Sequence, residues 1–100
     1  MSTLTEKTND PQTVERQMVI ANIAGLHARP AAAFVKLAST FSCEIMVTKQ
    51  GDTVNGKSII GLISLAAENG QTITVQSTGA GAEGALDAIQ KLVESKFGES

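Results

Sequence analysis

Three stretches of the chain alternate between apolar and polar residues with the two-residue period of a β-strand. Residues 17–23 place Met18, Ile20 and Asn22 on one face, residues 43–49 are rich in strand-forming residues, and residues 71–77 alternate most cleanly. A turn sequence at 50–52 follows the second stretch, so residues 53–54 are predicted to return as a short strand and form a hairpin. The pattern therefore predicts four strands.

Two other stretches repeat their apolar residues with the period of a helix, and a third is a short apolar run. We expect helices over residues 28–40, 59–65 and 82–97, the second of them short and preceded by a good N-cap residue, Ser58. The stripes expected to face the core are Ala31, Phe34, Ala38 and Phe41 in the first helix and Leu86, Ile89, Val93 and Phe97 in the last. The order β-α-β-β-α-β-α predicts a two-layer α+β fold with helices covering one face of a single sheet.

The first part of the chain, residues 1–16, is polar and has no apolar period. It is predicted to be a flexible leader, and a docking role for it is left open. Residues 17–100 are predicted to form a single domain, because a chain of 100 residues has room for one core.

Charge and aromatic content argue against a nucleic-acid partner, since 8 basic residues stand against 10 acidic ones and the 3 aromatic residues are all Phe. No apolar run is long enough to span a bilayer and the N-terminus lacks the pattern of a secretory signal, so no membrane insertion is expected. The single cysteine, Cys43, cannot form an internal disulfide, which favours a reducing, cytoplasmic location. We expect Cys43 to be a small buried hydrophobe, with a reactive thiol as the alternative.

The segment 25–30, Gly-Leu-His-Ala-Arg-Pro, holds the only histidine of the chain, at the junction between the first strand and the first helix. Free N–H groups and the dipole at the start of a helix favour an anion there, and Arg29 adds a planar cation that suits phosphate. His27 is therefore a candidate acceptor of a phosphoryl group. The alternative is a capping or surface histidine with no chemistry.

Ser58 is the second candidate, because a phosphate added at a helix N-cap is electrostatically favourable and should leave the fold intact. Ile59 and Ile60 follow it in the first turn, where one of the two should be hard to bury. An exposed apolar spot of this kind can mark a partner site. A phosphate on Ser58 would place charge beside that spot and repel the partner.

Two motifs together, Gly-Leu-His-Ala-Arg-Pro-Ala at 25–31 and Val-Asn-Gly-Lys-Ser-Ile-Ile-Gly at 54–61, closely resemble the HPr family. These proteins are the histidine-containing phosphocarriers of the bacterial phosphoenolpyruvate:sugar phosphotransferase system. The resemblance runs over residues 17–97 and implies an open-faced sandwich, a four-stranded antiparallel sheet with three helices on one face. Ala24 is a departure: some relatives carry Ser or Asn there, so a side-chain hydrogen bond to the phosphohistidine from this position is lost.

The resemblance also implies roles for single residues. His27 would take a phosphoryl group on its ring Nδ1 from phosphorylated enzyme I and give it to a histidine of an enzyme IIA domain. Arg29 corresponds to the active-centre arginine, and Ser58 to the serine that HPr kinase/phosphorylase phosphorylates from ATP in many members. Ile59 and Ile60 fall where the family has exposed contacts for enzyme I and for that kinase.

Two further classes of function compare less well with the sequence. A regulatory adaptor, in a nitrogen-linked branch or under a Ser58 kinase, would bind partners but would not need His27. An independent enzyme is not expected, because one histidine and scattered carboxylates cannot assemble a nucleophile–base pair or an acid–base dyad. We expect a phosphoryl carrier that is not itself an enzyme, has no cofactor or metal, and stays monomeric because it shuttles between partners.

Overall fold

The structure, a computed structural model, describes residues 13–99 of the chain. In chain order its elements are β1 (Thr13–Val19), α1 (Ala28–Ala38), β2 (Glu44–Lys49), β3 (Asp52–Asn55), α2 (Ile59–Ser64), β4 (Thr72–Thr78) and α3 (Ala82–Glu94), followed by a 3₁₀ turn over Lys96–Gly98. This order confirms the predicted β-α-β-β-α-β-α arrangement. No helix in the described residues is long and apolar enough to cross a membrane.

The four strands form one antiparallel sheet in the order β1-β4-β2-β3. The central strand β4 pairs with β1 on one side, where Met18 lies opposite Ile73, and with β2 on the other, where Val47 lies opposite Val75. A tight turn at Gln50 and Gly51, both with positive φ, joins β2 to β3 as the predicted hairpin. The sheet is therefore the predicted open-faced one.

The core lies between the helices and one face of the sheet. The buried strand residues are Met18, Ile45, Val47, Ile73, Val75 and Ser77, and the buried helix residues include Phe34, Leu62, Leu86, Ile89 and Val93. Residues between them on the strands, such as Gln17, Glu44 and Gln76, are exposed. This alternation is the pattern from which the fold was predicted. Cys43 is buried as expected, and its Sγ lies 3.3 Å from the Ser77 Oγ.

The first strand differs from its prediction, because it spans Thr13–Val19 and not residues 17–23. Residues 13–16 pair with β4, so the predicted flexible leader is wrong for these four residues; the rest of that prediction, on 1–12, lies outside the described residues. The reason is Arg16, which occupies the helix-facing side of the strand and pairs with Glu83 and Asp87 of α3 at 3.0 and 2.9 Å. Because a charged residue stands where the alternation requires an apolar one, the sequence does not show that the strand begins before residue 17.

All three helices end earlier than predicted, α1 at Ala38, α2 at Ser64 and α3 at Glu94. The predicted stripe of α3 is nevertheless buried, including Phe97 at its end. Phe97 reaches the core through a turn in which Lys96 and Phe97 have φ values of 61° and 55°, not through a continued helix. That turn carries the end of the chain back toward the loop before α1.

Candidate functional site

His27 occupies the N-cap position of α1, with extended backbone angles of φ −98° and ψ −157°. Its carbonyl oxygen accepts the first helical hydrogen bond, from the Ala31 N–H at 2.8 Å. Its ring is exposed and makes no capping hydrogen bond with the helix. The imidazole is therefore open to an incoming group at the start of the helix, as the sequence predicts.

The first turn of α1 leaves backbone donors uncommitted. The N–H groups of Ala28 and Arg29 have no acceptor within the helix, because the helix begins at Ala28. Pro30 has no N–H, so of the two positions whose N–H an N-cap side chain can accept, N2 and N3, the second carries no donor. An anion at His27 would meet free amides and the positive end of the helix dipole.

Arg29 lies in the same first turn and is exposed. Within residues 13–99 there are two ion pairs, and Arg16 of β1 is the cation in both. Arg29 therefore takes part in neither. The guanidinium is thus available to an anion bound at the ring. Arginine suits a phosphoryl group because its planar fork can donate two parallel hydrogen bonds.

The loop before His27 approaches the chain at residue 67 closely. Gly25 has a φ of +77°, and a Cβ built there would lie 2.6 Å from the Ala67 carbonyl oxygen. That oxygen accepts the Leu26 N–H at 2.8 Å, and the Leu26 side chain is buried. Only glycine combines this backbone angle with this approach. Gly25 therefore lets the loop dock and fixes the backbone that leads into His27.

Ser58 is the N-cap of α2, as predicted. Its Oγ accepts the Gly61 N–H at 3.1 Å, and its carbonyl oxygen accepts the Leu62 N–H at 3.0 Å. The side chain is half-buried, and the neighbouring Lys57 N–H donates to the Asn55 Oδ1 at 2.8 Å. The hydroxyl oxygen thus lies at the positive end of a helix, where an added phosphate is favoured.

Both isoleucines after Ser58 are exposed, Ile59 by 41% and Ile60 by 81%, whereas the sequence required only one of them to be. Ile63, one turn after Ile59, is 40% exposed and was missed by the sequence analysis. Its signal was the spacing of four residues from Ile59, which puts both on one helix face. Ile23, in the loop before His27, is 76% exposed.

A surface depression of about 240 Å³ lies between His27 and Ile63 of α2. His27 lines it together with Ile63 of α2 and Glu68, and the remaining walls are Ala24, Leu26, Ala66 and Ala67. The structure therefore brings the start of α1 and the exposed face of α2 into one surface. The exposed His27 ring thus lies beside the apolar Ile63, and the exposed Arg29 follows in the first turn of α1. Within residues 13–99, no group of three or more His, Cys, Asp or Glu is placed to hold a metal ion.

Comparison with protein families matches residues 14–95 to the family described as "PTS HPr component phosphorylation site". Among similar curated proteins, the HPr-like protein Crh of Halalkalibacterium halodurans is 43% identical over 83% of this chain and 99% of its own length. The phosphocarrier protein HPr of Neisseria meningitidis is 42% identical over 86% of this chain and 97% of its own. The phosphocarrier protein NPr of Shewanella violacea is 42% identical over 87% of this chain and 96% of its own length.

Solved structures give the same result. HPr-C-His from Thermoanaerobacter tengcongensis matches with a TM-score of 0.84 and 46% identity, over 87% of this chain and 98% of that one. HPr from Bacillus anthracis matches with a TM-score of 0.78 and 43% identity, over 81% of this chain and 96% of that one. An HPr dimer from Thermoanaerobacter tengcongensis matches with a TM-score of 0.70 and 49% identity, over 80% and 92%.

Proposed function

Because the chain belongs to the HPr family of phosphocarriers of the bacterial phosphotransferase system, we propose that His27 is the residue that carries the phosphoryl group. The donor in this proposal is phosphorylated enzyme I, and the acceptor is a histidine of an enzyme IIA domain. The observation that carries the proposal is the exposed His27 ring at the start of α1, in the same turn as Arg29 and within the residues that match the family.

In the forward step, the ring Nδ1 of His27 attacks phosphorus, and the bond from phosphorus to the donor breaks as the new P–N bond forms. Phosphoryl transfer has a loose, in-line transition state, so catalysis depends mainly on positioning and on stabilising negative charge. The free first-turn amides and the Arg29 guanidinium supply that stabilisation at the surface. Because the group stays exposed, an acceptor can approach it from outside and take it by the reverse step.

Partner docking is assigned to the apolar surface beside the ring. Ile59 and Ile60 are the predicted contacts, and their exposure supports the assignment. Ile63 extends the same surface into the depression at His27. A partner that covers this apolar area would bring its own reacting group to the imidazole. In this proposal the chain is a covalent carrier and not an enzyme by itself, works as a monomer, and is cytoplasmic.

Ser58 is proposed as a site of regulatory phosphorylation. Its Oγ already accepts the Gly61 N–H, so a phosphate there would sit at the positive end of α2 and the fold should survive. The added charge would lie next to Ile59 and Ile60 and would hinder apolar docking. The expected result is weaker phosphoryl acceptance from enzyme I without unfolding.

The test of the carrier function is labelling with phosphoenolpyruvate and enzyme I, followed by intact mass and lability. The wild-type protein should gain one phosphoryl group that is acid-labile and base-stable. The His27→Ala variant should gain none, while Lys36→Ala, an exposed change on the same helix, should label like wild type. Normal labelling of His27→Ala would reject the assignment.

The second candidate function is a regulatory adaptor that acts mainly through binding. What favours it is that relatives named Crh and NPr are as similar to this chain as those named HPr. An adaptor controlled at Ser58 would acquire base-labile, acid-stable label from ATP and a kinase, with no requirement for His27. Labelling of a Ser58→Ala variant under those conditions would rule out Ser58 as the controlled residue.

A further inference from the structure

The Asn22 side chain is completely buried in the loop between β1 and α1, although it is polar. Its Nδ2 donates to two acceptors, the Gly25 carbonyl oxygen at 2.8 Å and the Glu99 Oε1 at 3.2 Å. Its backbone oxygen accepts the Gly25 N–H and the Asn69 Nδ2, each at 3.2 Å. Both hydrogens of the side-chain amide therefore have acceptors, while its Oδ1 is buried without a hydrogen-bond partner, so the position of the side chain depends on the contacts of Nδ2.

The contact with Gly25 fixes one particular peptide group. The carbonyl oxygen that Asn22 binds belongs to the peptide bond between Gly25 and Leu26, and the N–H of that same peptide donates to the Ala67 oxygen at 2.8 Å. The plane is therefore held from both sides. Since it lies one residue before His27, it sets the direction in which the chain enters the N-cap of α1.

The second hydrogen of the Asn22 amide reaches the other end of the molecule. Glu99 follows the 3₁₀ turn over Lys96–Gly98, whose Phe97 is buried in the core. The Glu99 N–H donates to the Lys96 carbonyl oxygen at 2.8 Å, which closes that turn. Glu99 is thus anchored, and its side-chain carboxylate can hold the Asn22 amide in the orientation that serves Gly25.

We propose that Asn22 is a positioning residue for phosphoryl transfer at His27, and that Glu99 keeps its amide in place. The inference rests on the proposed carrier function. It concerns the rate of transfer and not partner docking, because Asn22 is buried and contributes nothing to the exposed surface at Ile59 and Ile60. Small displacements of a reacting group cost rate steeply, on the order of 100-fold for about 1 Å.

The experiment measures kcat and KM for this protein as the substrate of phosphorylated enzyme I. The Asn22→Asp variant keeps the shape of the side chain but replaces both donors by a carboxylate that faces the Gly25 oxygen and Glu99. It should lower kcat by about tenfold with KM unchanged. Glu99→Ala should lower kcat by about threefold, and Glu99→Gln, which keeps an acceptor oxygen, should restore it.

The matched control is Gln76→Glu on the exposed face of β4. Gln76 also donates its amide to a carboxylate, the Glu15 Oε1 at 3.3 Å, so the chemical change is the same away from the site. This variant should label like wild type. Hydrogen exchange of the Leu26 amide reports on the peptide itself and should be faster in Asn22→Asp.

Each outcome has a defined meaning. Wild-type kcat in folded Asn22→Asp, or equal kcat in Glu99→Ala and Glu99→Gln, overturns the inference while the carrier function stands. A rise in KM at constant kcat also overturns it, since that would place Asn22 in docking. If Asn22→Asp does not fold, the two Glu99 variants decide. Absence of phosphorylation at His27 in the wild type would instead reject the carrier function, and this inference with it.

Discussion

Replacing Gly25 by alanine should destabilise the protein through a conflict in the loop directly before His27. The φ of Gly25 is +77°, and the new Cβ would lie 2.6 Å from the Ala67 oxygen and 3.0 Å from the Glu68 Cα. Both neighbours are backbone atoms, so no side chain can rotate away to make room. The loop must move, and the movement stretches the 2.8 Å hydrogen bond between the Leu26 N–H and the Ala67 oxygen.

The size of the effect follows from two contributions to the free energy of unfolding. A left-handed conformation costs an alanine about 1–2 kcal/mol. Loss of the Leu26 hydrogen bond, with its donor left buried, costs about 1–2 kcal/mol more. The sum is about 3 kcal/mol, which for a domain of this size corresponds to a fall in Tm of about 12–24 °C.

Gly51→Ala is the matched control, because Gly51 has a φ of +88° and no atom within 4 Å of a built Cβ. It carries only the conformational cost, about 1 kcal/mol once the stiffer unfolded chain is included. Thermal and urea unfolding of both variants should therefore separate them by about 2 kcal/mol. Melting of the two variants within about 2 °C of each other would refute the steric argument.

Three more predictions address the cap, the ion pairs and the docking surface. Ser58→Ala removes the oxygen that accepts the Gly61 N–H and should lower the free energy of unfolding by about 1 kcal/mol. Ser58→Asp keeps a capping oxygen and should have a Tm near that of the wild type. Equal Tm values for the two variants would contradict the capping role of Ser58. Arg16→Ala should lower the free energy of unfolding by about 1 kcal/mol at low salt, because its two ion pairs are partly exposed. Salt screens such pairs, so the difference from the wild type should shrink in about 1 M NaCl. A difference that stays the same would indicate lost packing and not lost ion pairs. Ile60→Ser should leave Tm unchanged within about 2 °C, since the side chain is 81% exposed, yet raise the KM for enzyme I; an unchanged KM would remove Ile60 from the docking surface.

Local physics explains what could be predicted from the sequence. Strand alternation placed Met18, Ile20 and Asn22 on one face, and all three are buried, although the strand itself ends at Val19. The N-cap at Ser58 and the histidine at the start of α1 depend on neighbours within one helical turn, so they could be identified from short segments. The family was indicated by the resemblance of the two motifs, at 25–31 and 54–61, to a known family, and not by their physics alone.

Only the tertiary structure showed how distant segments meet. Asn22 and Glu99 are 77 residues apart, and their hydrogen bond exists because a left-handed turn at Phe97 brings the end of the chain back. Arg16 could be recognised as a strand residue only once its partners on α3 were in place. Such contacts depend on strand register and helix packing, which are set by many weak interactions over the whole domain. The spacing of apolar residues and the capping of helices, in contrast, are decided by a few neighbouring residues.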